Sequence, residues 1–187
     1  MVLRTPGLDE FPEEAAVIGR LLTGYGELEY ALCVLLGDTL NDVEVAVKVM
    51  FRNGGEEGRI QIADALMRYK FEQTPLADAY KQTISDMQHC RKIRNQFAHS
   101  LFEGTTQQGT LSFVDLEESA RAPGMTRIEA VPIALPLLEA QEEYFGYVQD
   151  RLLYMSAEFQ LQEGRTSSHG ETLPATIAKP RRHGADW

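Results

Sequence analysis

Positive charge is in short supply in this chain. Lys and Arg number 18 against 28 Asp and Glu, for a formal net charge of −10 over 187 residues. Proteins that hold nucleic acid mainly through its phosphates carry a basic footprint. No such footprint covers this chain as a whole, so any nucleic-acid contact must come from a local basic patch or from a partner. Cysteine is almost missing. The two present, Cys33 and Cys90, sit among apolar residues and read as small core hydrophobes in a reducing compartment. No Cys/His spacing points to zinc, and no metal is expected. No run of 18 uninterrupted apolar residues occurs, so a membrane span is not expected. Residues 1–11 lack the apolar stretch of a signal peptide, and a cytoplasmic location is expected. A phosphate-binding glycine loop and a nucleophile elbow are absent too. Gly54-Gly55-Glu56-Glu57-Gly58 reads as a plain loop, and no cofactor is expected.

What the chain does have is a globular composition, 43% apolar and 25% charged. That suits one domain with a core large enough to need no disulfide. Apolar residues recur at helical steps in five segments. The first covers 12–37, with Pro12, Glu13 and Glu14 at its start and Val17, Leu21, Leu28, Leu32 and Leu35 as its stripe. Gly24 and Gly26 interrupt it, as a kink or a close helix crossing would require, and Gly37-Asp38 is its expected end. The second covers 42–52, with Val43, Ala46, Val47 and Met50 on one side. The third covers 56–72, with Ile60, Ala63, Leu66 and Met67. The fourth runs from Pro75, after the capping residue Thr74, to Leu101. Its stripe is Met87, Cys90, Ile93, Phe97 and Leu101. The fifth starts between Pro132 and Pro136 and runs to about Gln162.

Between the last two helices the pattern alternates in strand fashion at Leu111 and Phe113 and again over 126–131. Gln107-Gln108-Gly109 suits a hairpin tip. The expected fold is therefore mainly α, a helical bundle of about five helices with a small β-hairpin insertion before the last long helix. Residues 1–163 form the domain. Residues 164–187 lose apolar periodicity and are expected to be a flexible tail, carrying the basic cluster Lys179-Pro180-Arg181-Arg182-His183. The acid pairs Glu27/Glu29, Glu56/Glu57, Glu117/Glu118 and Glu142/Glu143 read as solvated or capping residues, and His89 as a surface residue.

One stretch concentrates chemistry: Arg91-Lys92-Ile93-Arg94-Asn95-Gln96-Phe97-Ala98-His99-Ser100, late on the fourth helix. Arg94 and His99 form an R-x4-H pair with Asn95 directly after the Arg. Histidine moves protons near neutral pH. Arginine grips phosphate with a planar fork that stays charged. An asparagine amide can orient either. Asn95 and His99, four apart, share a helix face. Arg94 and His99 are five apart, about 140° around a helix, so Arg94 leans toward the apolar stripe. Arg94 has an alternative structural role, pairing with Glu27 or Glu29. His99 could simply favour the helix C-terminus, and Asn95 could brace locally.

This segment, late on an amphipathic helix, resembles the HEPN superfamily. The resemblance implies a helical HEPN-like domain and a metal-independent endoribonuclease, set in toxin–antitoxin or phage-defence systems. Arg94, Asn95 and His99 would be its catalytic residues, and Arg91 and Lys92 would add RNA contacts. It implies a homodimer with two motifs facing across a two-fold axis, RNA rather than DNA as substrate, and an antitoxin or other protein partner. Some HEPN toxins carry a Tyr two residues after the His. Leu101 stands there, which argues against modification at that position and suits packing instead. The second reading is a non-catalytic HEPN-like interaction or nucleotide-binding module with a structural Arg/His pair.

Overall fold

A computed structural model describes residues 6–52, 54–105, 109–121, 130–165 and 172–184. It is mainly helical, with a small three-stranded antiparallel sheet in the order β1-β2-β3. The elements are α1 (Pro6–Asp9), α2 (Pro12–Leu40), α3 (Val43–Phe51), α4 (Glu56–Phe71) and α5 (Ala77–Ala98). Then follow β1 (Ser100–Thr105), β2 (Thr110–Asp115), α6 (Leu116–Arg121), β3 (Val131–Pro132) and α7 (Leu135–Gln162). None of the helices is long and apolar enough to cross a membrane, among the described residues. The contacts divide the chain into two compact units, and α2, α5 and α7 give residues to each.

One unit comprises residues 25–91 and 145–177. Leu28, Leu32, Leu35 and Leu36 of α2, Ile60, Ala63, Met67 and Phe71 of α4, and Val148, Leu152 and Phe159 of α7 are buried in it. Phe71 stacks on Tyr80 with ring centroids 4.5 Å apart, an offset geometry that aromatic pairs favour. Helix α2 runs three residues past its expected end at Gly37. It stops where Asn41 turns to φ 56°, a left-handed cap that Asn tolerates. Asp42 then caps α3, its carboxylate accepting from the Val45 N–H at 3.0 Å. The stripe expected of α3 is half right. Ala46 and Met50 are buried, while Val43 and Val47 are 55% and 43% exposed. Leu66 of α4 is exposed as well.

The other unit comprises residues 1–24, 92–144 and 178–187. Its core gathers Val17, Ile18 and Leu21 of α2, Ile93 and Phe97 of α5, Leu111 and Phe113 of β2, and Leu138 and Tyr144 of α7. The glycines at 24 and 26 leave α2 continuous. A Cβ at either would meet nothing within 4 Å, so no close helix crossing explains them. The hairpin pairs Leu101 with Val114 and Phe102 with Phe113. Its expected tip, Gln107-Gln108, lies outside the described residues, as does most of the strand expected over 126–131. The far end of the presumed tail differs from expectation. Residues 172–184 hold no helix or strand, yet His183 is only 4% exposed inside this unit.

Candidate functional site

The motif lies where α5 gives way to β1. The apolar period continues through Met87, Cys90, Ile93 and Phe97, all buried. It does not reach Leu101, because the helix stops at Ala98. His99 occupies the turn, and Ser100 already pairs with Asp115 of β2. Leu101 is 57% exposed, so the packing role expected of it fails. A strand alternates faces every residue, and Leu101 falls on the outer one. The Ser100 hydroxyl donates back to the Gln96 carbonyl, which ties the turn around His99 to the last helical turn.

Arg94 and Asn95 are both half-buried, and His99 is exposed. Arg94 Nη1 donates to Asn95 Oδ1 at 3.2 Å. The structure thus joins the Arg and Asn of the motif directly and sets the imidazole one residue beyond the helix, on the open side. The Glu29 expected as a brace for Arg94 is engaged by Arg59 instead. Arg59 Nη1 reaches its two oxygens at 2.7 and 3.0 Å.

The flanking cations separate in role. Lys92 is exposed. Arg91 has a side chain only 15% exposed and pairs with Glu57 at 3.2 Å, while its Nε donates to Gln88 at 3.1 Å. A guanidinium so engaged has little left for a phosphate. Two of the acids expected to be solvated are also committed. Glu29 is buried, and Glu142 accepts from Arg20 Nη2 at 3.0 Å, a hydrogen bond that holds its carboxyl below the usual range. His89 is half-buried rather than a surface residue. Among the described residues, no group of three or more His, Cys, Asp or Glu is gathered in a way that could hold a metal ion.

Sequence reasoning gave no role to Gln96 or Gln141 and read His183 only as part of a basic cluster in the tail. Gln96 is 4% exposed, Gln141 is fully buried, and His183 is buried with them. Gln96 Nε2 donates to the His183 carbonyl at 2.9 Å, and the His183 N–H donates to Gln96 Oε1 at 3.2 Å. Gln141 Nε2 donates to the Arg181 carbonyl at 2.8 Å. A local signal did exist for the glutamines. Gln96 neighbours Phe97 and follows Ile93 by three, and Gln141 follows Leu138 by three, so both fall at core-facing positions. A buried amide there must find a partner. Nothing local says that the partner lies forty residues away for Gln141 and 87 for Gln96.

Compared with protein-family models, curated proteins and solved structures, the chain finds no match.

Proposed function

We propose that this chain is a HEPN-type endoribonuclease that cuts RNA without a metal and acts as a homodimer. One observation carries the reading. An exposed imidazole, His99, stands one residue past the end of α5, after a hydrogen-bonded Arg94–Asn95 pair on the last helical turns. The chemistry asks for those groups. The substrate's 2′-hydroxyl attacks phosphorus, so a bond from O2′ to P forms while the bond from P to O5′ breaks. A base takes the O2′ proton and an acid delivers one to O5′. Charge on the five-coordinate phosphorus is met by a guanidinium. In a two-fold dimer, one His99 serves as base and its copy as acid, and two Arg94 flank the phosphate. Lys92 is placed to add attraction for RNA; Arg91 is the weaker candidate because of its pairing with Glu57. The biological setting that goes with this reading is a toxin–antitoxin or phage-defence system with a protein antitoxin.

The second reading is a non-catalytic HEPN-like interaction or nucleotide-binding module. It is favoured by the half-burial of Arg94, whose guanidinium bonds to Asn95, and by the net charge of −10. The two separate on one comparison. Wild-type protein should cut single-stranded RNA in excess EDTA, and His99→Ala should not. Its circular dichroism should match wild type, since an exposed imidazole contributes little to folding. Equal cutting by both proteins would trace the activity to a contaminant and favour the module.

A further inference from the structure

The C-terminal segment comes back to the motif. His183 meets Gln96 through two reciprocal hydrogen bonds, so the side-chain amide of Gln96 is satisfied at both its donor and its acceptor. Gln96 directly follows Asn95 and precedes His99 by three. Its own carbonyl accepts from Ser100. The turn that displays His99 is thus tied on one side to the hairpin and on the other to residue 183. The His183 ring packs edge-on against Phe97 of α5 and Phe113 of β2, with centroids 5.6 and 6.1 Å away. Gln141 of α7 holds the same segment at the Arg181 carbonyl and lies 3.4 Å from His183 Nδ1. Gly184 completes the turn at φ 69°, where any Cβ would come within 3.1 Å of Val131. Only glycine passes there without strain.

We infer that residues 178–184 form a strap that positions the motif-bearing end of α5, with Gln96 and His183 as positioning residues for His99. The strap buries the His183 ring beside two side-chain amides whose hydrogen bonds go to the strap's own backbone, Gln96 to residue 183 and Gln141 to the Arg181 carbonyl, so lifting it removes both sets at once. Its catalytic consequence rests on the nuclease reading, whereas the clamp itself does not.

The strap is also sensitive to acid. Burial is the first cause that lowers the His183 pKa, from 6.5 to about 4. The Ala134 carbonyl acts the other way, and the Arg181 guanidinium lowers it further. Against the ring lie Phe97 of α5, Phe113 of β2 and Gln141 of α7. Arg181 is the charged group that acts on it among the described residues. Nε2 of the ring has no hydrogen-bond partner there that meets the geometry of one. The docked ring is therefore neutral. A depressed pKa means that the released state binds the proton more readily, so docking is fully favoured above about pH 6.5 and is lost as pH falls toward 4.

Amide hydrogen exchange tests the strap without RNA. Exchange over residues 97–104 should be slow in the full-length chain at pH 7. Corrected for intrinsic rates, it should quicken at least tenfold as pH falls from 6.5 to 4. His183→Phe, which keeps an aromatic wedge but cannot take the proton, should stay protected across that range. A chain ending at residue 177 should exchange quickly over 97–104 already at pH 7, with its helical circular dichroism retained. Equal protection in the full and shortened chains would overturn the strap. If the shortened chain does not fold, the pH series decides, and protection in wild type that ignores pH would overturn it. RNA cutting measured in parallel keeps the two proposals apart: an intact clamp without cutting removes the nuclease alone, and cutting without a clamp removes the strap alone.

Discussion

Glu29 shows at the scale of one residue how misleading local composition can be. Two residues after Glu27 and paired with it by composition, it reads as a solvated acid. Yet its side chain is 8% exposed and its charge is met by Arg59, which keeps 22% exposure. Removing the cation strands a buried carboxylate, which costs far more than an exposed pair contributes. Arg59→Ala should destabilise the protein by about 3 kcal/mol, and part of the loss comes from the packing of the guanidinium over the Phe51 ring at 5.3 Å. Lys48→Ala removes the exposed pair with Glu44 and should change stability by less than about 0.5 kcal/mol. Urea denaturation of the two variants beside wild type checks the contrast. Similar midpoints for both would mean that Glu29 is not held as described. At the motif, Arg94 is half-buried, as its lean toward the apolar stripe implied. His99 is exposed, as its place on the helix face away from that stripe implied.

At the scale of elements, periodicity was a good guide wherever one face decides burial. Met87, Cys90, Ile93 and Phe97 follow a helical step and are all buried. Leu101 fits the same step but belongs to β1, because pairing with Val114 of β2 competes with helix propagation, and one-dimensional periodicity does not register partners. The same blindness hid the strap. A contact between Gln96 and His183 spans 87 residues, and nothing in the tail's composition announces it. Glycine is a further case where the sequence alone left the reason open. Gly24 and Gly37 look alike within α2. A Cβ at Gly24 meets nothing within 4 Å, whereas at Gly37 it would sit 3.0 Å from Val43 Cγ2 and 3.1 Å from Val43 Cα. Gly24→Ala should therefore stabilise the protein, by up to about 1 kcal/mol through helix propensity. Gly37→Ala should destabilise it despite the same gain, because α3 begins at Val43 and its backbone must shift. Thermal melts would show opposite signs. A gain for both would mean that α3 moves freely away from Gly37.

At the scale of the whole molecule, charge sets the conditions for assembly. Two copies at −10 each repel at low salt and less so near 0.15 M, where the screening length is about 8 Å. The proposed dimer should give about twice the 21.0 kDa chain mass by light scattering at micromolar concentration, more completely at moderate than at low salt. A clean monomer at high concentration and moderate salt would remove the shared cleft, and with it the arrangement of one His99 as base and the other as acid.

If His99 and Arg94 direct attack by the RNA's own 2′-hydroxyl, the ends of the products carry its signature. Wild-type protein incubated with a defined single-stranded RNA in excess EDTA should yield 2′,3′-cyclic phosphate on one fragment and a 5′-hydroxyl on the other, with neither formed by His99→Ala. RNA left intact at high protein concentration, with and without added metals, would contradict that mechanism. So would fragments ending in 3′-hydroxyl and 5′-phosphate, since water rather than the 2′-oxygen would then be the attacking group.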